Sequence, residues 1–308
     1  FSVLNTPHEI AITGRVPKLD MSRLTADFAQ LCETQVKMFE PRSHSAPFDR
    51  YTFLTMVGDA YGGLEHRSST ALVTKREGLP FLGMTESTEA YRNFLGLASH
   101  EYFHSWNVKR IKPAAFVPYD LSRENHTRLL WAFEGFTSYY DDLLLTRAGL
   151  LSEAQYLTGL AKTLTTVTQR SSRLKQSVAD SSFDAWIKYY RQDENAPNSI
   201  VSYYQKGALV GLAIDLSIRA RTKGKKSLDD VMRLFWKQWK TAGADYAGVA
   251  EDQVAQAVEQ ATGLSLSREI AEWTEGTSDP DYEALFTPFA ARCTRRSAVA
   301  TLHCALLG

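Results

Sequence analysis

"LASHEYFHSWN", residues 97–107, decides how this chain is read. Two histidines stand four residues apart, with a glutamate directly after the first. An α-helix turns once every 3.6 residues, so His100 and His104 fall on one face, one above the other. Two imidazoles stacked in that way can hold one metal ion. Glu101 lies about 100° round the helix, near enough to reach a water on that metal and badly placed to be a ligand. The competing reading is a helix with two ordinary histidines, because H-E-x-x-H arises by accident in roughly one chain in a hundred of this size. The rest of the chain has to decide between them.

A catalytic zinc takes three protein ligands and keeps a further position for water. The third ligand is sought on a neighbouring element, and "WAFEGFTSYYDD" (131–142) offers one. Glu134 stands between Phe133 and Gly135, with Trp131 and Phe136 close by. A carboxylate in such surroundings is costly unless it is paired or bound to a metal. The residues between His104 and Glu134 are enough for the chain to turn and lay a second helix beside the first. The expectation is one Zn²⁺ per chain, held by His100, His104 and Glu134, with Glu101 beside it as general base. A solvent-facing helical glutamate is the plain alternative for Glu134.

Composition narrows the partners. The chain has 308 residues, with 35 basic and 35 acidic side chains, so it carries no formal net charge. That balance gives no reason to expect nucleic acid or an anionic membrane as partner. Hydrophobic residues make up 44 % and aromatics 11 %, enough for a sizeable core. No stretch approaches 18 uninterrupted apolar residues, so no membrane insertion is expected. The expectation is a soluble chain of the cytoplasm or periplasm, and the sequence does not choose between them or fix an oligomeric state. The cysteines Cys32, Cys293 and Cys304 are odd in number and widely spaced, which indicates neither a disulfide framework nor a cysteine zinc site. The chain begins at Phe1, and is read as a processed chain or a fragment.

Along the chain, "HEIAITGRV" and "YTFLTMVG" (51–58) read as strands, and "GGLEHRSSTALVTK" (62–75) as a further strand after two glycines. A helix is predicted over 20–40. Another begins after Ser87 and carries both histidines. Further helices are predicted over 128–148, 152–170, 202–221, 227–241, 250–262 and 266–275, with a polar loop at "RQDENAPNS". A small β-rich part followed by a helical remainder is an α+β pattern. The tail "ARCTRRSAVATLHCALLG" fits no amphipathic pattern, so residues 286–308 are set apart from a catalytic domain over 1–285.

H-E-x-x-H with a downstream Glu resembles the thermolysin-like zinc peptidases. "HEYFHSWNVKRIKP" joined to "EGFTSYYDDLLLTRAGL" resembles the glycyl aminopeptidase family within that group. The likeness runs over roughly residues 8–285. It implies a thermolysin-like catalytic domain. Known members carry a β domain before this region and a PDZ domain after it, and this sequence is expected to represent the catalytic region without either.

The resemblance also implies roles. "GGLEH" (62–66) is similar to the Gly-x-Met-Glu-Asn signature of the aminopeptidase-N family, with Leu64 for Met and His66 for Asn. By that match Gly62, Gly63 and Glu65 are substrate-binding, and Glu65 holds the free α-amino group of the substrate. The alternative is a turn followed by an exposed strand glutamate, and the role of His66 is open. "SYYQKGALVGL" (202–212) resembles the Tyr-x-Lys-Gly segment of the same enzymes, which makes Tyr204 the hydrogen-bond donor to the oxyanion and leaves Tyr203 as its competitor. Lys109 and Arg110 are read as a solvated helix end, or as partners for a nearby carboxylate.

The function so implied is a zinc aminopeptidase acting on peptides with a free N-terminus, with a preference for Gly or Ala. Two other readings stand beside it: an endopeptidase of the same fold, and a non-catalytic zinc-stabilised scaffold.

Overall fold

From Thr6 to Thr74 the chain passes from strand to helix to strand, and parallel pairing follows from that order. Two parallel strands need a crossover of a dozen or more residues between them. Here the helix α1 (Met21–Phe39) supplies it, between β2 (Thr6–Thr13) and β3 (Tyr51–Val57). The short β1 (Ser2–Val3) precedes them, and β4 (Gly62–Glu65) and β5 (Ser69–Thr74) follow. The sheet order is β1-β2-β3-β5-β4. β2, β3 and β5 run parallel, while the edge strands β1 and β4 are antiparallel to their neighbours. The stretch 62–75, read as one strand, is therefore two. His66 and Ser69 close the reversal through the His66 N–H to Ser69 O bond.

The computed structural model describes residues 1–289, 291–296 and 301–306. It divides into two units. The first is Phe1–Arg110 with Tyr140–Ser152, and the second is Ile111–Tyr139 with Glu153–Gly308.

In the first unit, the alternation of β3 decides which side is core. Tyr51, Phe53 and Thr55 are buried, while Leu54 and Met56 point the other way and are 45 % and 50 % exposed. Asp20 caps α1 by accepting from Arg23 N–H, and the helix turns Leu24, Phe28 and Leu31 inward. Phe28 meets Phe53 at 4.7 Å between ring centroids. The helix α2 (Glu89–Phe103) starts where Thr88 accepts from Tyr91 N–H. Its Phe94 lies 5.9 Å from Phe28 and its Tyr102 4.8 Å from Tyr51. His8 on β2 reaches the Tyr102 hydroxyl through Nε2 at 2.9 Å. These aromatic contacts fix the end of α2 against the sheet.

The helix α3 (Leu130–Arg147) gives its residues up to Tyr139 to the second unit and those from Tyr140 to the first. The second unit continues with α4 (Glu153–Gln169), α5 (Val178–Phe183), a π-helical turn at Ala185–Tyr189 and α6 (Ala196–Ser199). Then come α7 (Gln205–Thr222), α8 (Leu228–Ala242), α9 (Gln253–Thr262), α10 (Ser267–Thr274) and α11 (Tyr282–Phe286). The polar stretch read as a loop holds the short α6. The tail for which the sequence offers no account forms two antiparallel strands, β6 (Ala291–Arg296) and β7 (Thr301–Leu306), with β7 along α4. Cys32 on α1 is a buried free thiol, and Cys304 on β7 is buried as well. The predicted α+β class is the observed one: a small N-terminal sheet and a mostly helical remainder. Among the described residues no helix is long and apolar enough to cross a membrane.

Phe28→Ala is expected to lower stability by about 3–5 kcal/mol, because it empties the junction of α1, α2 and β3. Urea unfolding followed by circular dichroism measures it.

Candidate active site

Both histidines are oriented from behind. His104 Nδ1 lies 2.8 Å from the carbonyl oxygen of Asn107. A carbonyl can only accept, so Nδ1 carries the proton and the lone pair is on Nε2. His100 Nδ1 faces Asp141 Oδ2 at 3.4 Å, which sets the same tautomer. The two rings meet nearly edge-on, with centroids 4.7 Å apart at 84°. One ligand nitrogen of each lies within 4.8 Å of the other. A metal-binding histidine ordinarily donates its second N–H to a carboxylate or a backbone carbonyl, and here one ring has each kind of partner. This donor set fits a divalent zinc-type ion, and an ordinary core histidine has no need of it.

Asp141 comes from α3, whose contacts with α2 reverse in order. Tyr140 stacks on Phe103 at 5.0 Å, the Asp141 carbonyl accepts from Ser99 Oγ at 2.8 Å, and Gly96 faces the Asp142 carboxylate. Numbers rise along α3 as they fall along α2, so this part of α3 runs antiparallel to α2. Burial pushes the Asp141 carboxyl up, against the pull of His100. Asp142 is pushed up to about 7 by burial and by the charge of Asp141 beside it.

Glu101 is 5 % exposed, and its carboxylate packs on the backbone of β4. A Cβ at Gly63 would collide with that carboxylate, whereas one at Gly62 meets no atom within 4 Å. Glu65, Glu101 and His104 present ligand atoms within 4.8 Å of one another, so β4 carries Glu65 to the end of the histidine helix. Glu65 Oε1 lies 3.1 Å from Lys109 Nζ, with both side chains about four-fifths buried. Arg110 is buried and donates to the carbonyls of Ser105 and Arg67 at 2.7 Å and 2.9 Å, and to that of Pro47. Burial, followed by the charge of Arg67, lowers its pKa to about 10. The reading of Lys109 and Arg110 as a solvated helix end is therefore corrected. Val108 just before them has φ +128°, a conformation that a β-branched residue adopts only under constraint. His66 contacts Ser69 Oγ at 3.0 Å in the exposed reversal.

In the second unit, α3 and α7 cross at two glycines. A Cβ on Gly135 would lie 2.6 Å from the Gly207 backbone, and one on Gly207 would lie 2.7 Å from the Trp131 carbonyl oxygen. The glycines of "EGF" and "YQKG" are thus one contact seen from both sides. It brings Glu134, one residue before Gly135, beside Tyr204, one turn before Gly207. Burial and then the Glu134 charge hold the Tyr204 hydroxyl far above its ordinary pKa. The Tyr204 hydroxyl lies 3.0 Å from that of Tyr190, which Tyr203 also reaches at 3.3 Å. Tyr203 is completely buried, and Tyr204 only partly so. Lys206, itself 0 % exposed, anchors the start of α7 through Asp279 Oδ1 at 3.2 Å, and Arg173 holds the same carboxylate.

The structure thus gathers His100, His104, Glu101, Glu65 and Gly63 in the first unit, and Glu134 and Tyr204 in the second. Sequence reasoning missed Asp141, Asn107 and Tyr190. Asp141 had a visible signal: it stands two helical turns after Glu134 in a segment otherwise rich in aromatics. Asn107 contributes a backbone carbonyl, which leaves no trace in residue identity.

A family model described as M61 glycyl aminopeptidase matches residues 93–210. Among solved structures, the chain is similar to an aminopeptidase N family protein from Idiomarina loihiensis. Identity is 42 % and the TM-score 0.90, over 96 % of this chain and 49 % of that one. The present chain therefore spans about half the length of that relative. An aminopeptidase A from Legionella pneumophila, solved with aspartic acid, shares the fold at 14 % identity and a TM-score of 0.52, over 87 % of this chain and 26 % of that one. No curated protein matches.

Gly207→Ala is expected to force α3 and α7 apart and to cost about 1–3 kcal/mol by overpacking. Urea unfolding measures the loss, and Ala208→Gly, which adds no atoms at the crossing, is the control for helix propensity.

Proposed function

Since the chain belongs to the M61 glycyl aminopeptidase family, we propose that it is a zinc-dependent aminopeptidase, cleaving the first bond of peptides that begin with a small residue such as Gly or Ala. The reading assigns His100, His104 and Glu134 to the metal, on a thermolysin-like scaffold. The observation that carries it is the register of α3. Asp141 faces His100, and Glu134 stands seven residues earlier, within about 20° of the same helical face and about 10 Å back along the axis. Because that part of α3 runs antiparallel to α2, stepping back from Asp141 moves toward the His104 end. Glu134 is then the natural third ligand.

When bound, Zn²⁺ supplies a Lewis acid for the scissile carbonyl and acidifies a water molecule. The side chains do the rest. Glu101, fixed against Gly63, takes the proton of the attacking water and passes it to the leaving amine. Tyr204 donates its hydroxyl proton in a hydrogen bond to the developing oxyanion, and the high pKa imposed by burial and Glu134 keeps that proton in place. Glu65 receives the α-ammonium of the substrate. It already holds one ammonium, that of Lys109, so the site accepts this chemistry, and the substrate's terminus shares or takes over that contact. Anchoring the terminus there leaves only the first peptide bond in reach.

Purified protein is expected to contain one equivalent of zinc by elemental analysis, and His104→Ala well under half of that. It is also expected to release aniline from Gly- and Ala-anilides, to lose this with a chelator, and to leave N-acetyl-Ala-anilide intact. Equal turnover of blocked and free substrates, with Glu65→Ala unchanged, would point to the endopeptidase reading instead.

Glu101→Gln is expected to keep the zinc and the unfolding midpoint while losing about 10²–10⁴ in kcat, the usual worth of a general base. Steady-state kinetics on the Ala-anilide measure it, and a residual rate above a tenth of wild type would move the role to another residue.

A further inference from the structure

Beside Tyr204 the second unit has a pocket of about 320 Å³, within the range of about 300–1,000 Å³ typical of small-ligand sites. Arg170, Gln192, Gln205, Ser202, Tyr189 and Tyr204 line it. Three of its polar side chains have no assigned work. Among the described residues Arg170 has no carboxylate within ion-pair distance, and the side-chain amides of Gln192 and Gln205 make no hydrogen bond. Burial raises the pKa of the Tyr189 hydroxyl on the pocket wall, and the Arg170 charge works against that rise. Gln205 opens α7 on the same space, and its own N–H is taken by Ser202 Oγ at 3.1 Å, so the polar groups turned to the pocket are side chains. A guanidinium flanked by two amides favours an anion.

We propose that this pocket is a second recognition site for the substrate and takes a carboxylate of the peptide beyond the bond that is cut. The proposal rests on the reading of Tyr204 as the residue at the scissile carbonyl. In an aminopeptidase only one residue precedes that bond, and its α-ammonium is repelled by Arg170. Whatever anionic group reaches a pocket walled by Tyr204 then belongs to the leaving peptide. The carboxylate is either the peptide's own C-terminus, in a short substrate, or an acidic side chain. Both offer the same planar pair of oxygens to a guanidinium, which can bind them in two parallel hydrogen bonds. Arg170 follows the last residue of α4, where a cation also complements the helix dipole. That role accounts for its charge and says nothing of the half-buried Gln205 amide on the same wall.

The test is equilibrium binding to the Glu101→Gln protein, which needs no turnover. Calorimetry compares Ala-Gly, Ala-Gly-Gly and Ala-Gly-Gly-Gly as free acids and as C-terminal amides, together with amides carrying Asp at the second or third position. At one length at least, the free acid or the Asp-containing amide is expected to bind tenfold or more tightly than the plain amide, the scale of a charge-assisted pair. Which of the two does so names the source of the carboxylate. Adding Arg170→Met or Gln205→Leu is expected to bring that ratio close to one. Ratios within twofold at every length overturn the proposal. So does a ratio that survives Arg170→Met while the melting temperature falls, which would leave Arg170 serving only the end of α4. Turnover of Ala-anilide by the wild type, which has no downstream carboxylate, reports separately on the aminopeptidase reading.

Discussion

The register of α3 is the constraint on which the rest depends. This helix is apolar on almost every side: Trp131, Phe133, Phe136, Tyr140, Leu144 and Leu145 are all buried. Glu134, Asp141 and Asp142 are therefore placed where a carboxylate is costly, and Asp142 meets that cost by a raised pKa. Asp141 is offset by His100. Glu134 faces the tyrosines at the head of α7, groups that donate hydrogen bonds without carrying charge. A slip of one residue along α3 would turn these carboxylates by about 100° into the apolar packing, and would break the glycine crossing with α7 as well. The close approach of Gly135 and Gly207 opposes that slip, since a side chain brought to either position would run into the backbone of the other helix.

Much of this was legible in the sequence, for identifiable reasons. Helical periodicity and capping located α1, α2, α3, α4 and α7 to within a few residues, because each has an N-terminal polar residue or a clear apolar face. The predicted strand at 62–75 failed as a single element because its turn, Arg67-Ser68, contains neither Gly nor Pro. The π-helical turn and the strands of the tail were missed, since neither follows a simple two-residue or 3.6-residue rhythm. At the candidate site, the side chains proposed to act by their identity, His100, His104, Glu101, Glu65, Glu134 and Tyr204, could be named from residue type alone. What could not be read was support given by backbone. The Asn107 carbonyl that orients His104, and the three carbonyls that hold Arg110, are invisible in a string of residue types.

The segment after the histidine helix shows how such support reshapes a simple reading. Lys109 and Arg110 look like a soluble helix end. Instead Val108 adopts a left-sided φ, and the two cations separate. Lys109 turns to Glu65, and Arg110 turns inward to carbonyls of three different loops. Arginine suits the second task because its planar fork can serve several acceptors at once, while lysine offers a compact ammonium that a substrate amine can imitate.

Neither unit is continuous in the chain, and this bears on how the protein is made. Asp141 and Tyr140 belong with residues 1–110, yet the whole segment Ile111–Tyr139 of the other unit is synthesised before them. A ribosome that has just released the H-E-x-x-H helix has not yet made the carboxylate that orients His100. The first unit therefore cannot finish its histidine pair during early synthesis, however well its sheet has formed. Until that carboxylate is made, the His100 imidazole is free to choose either tautomer, while His104 already has the Asn107 carbonyl within reach. The orientation of His100 has to wait for α3, so the histidine pair is not finished as an independent early event.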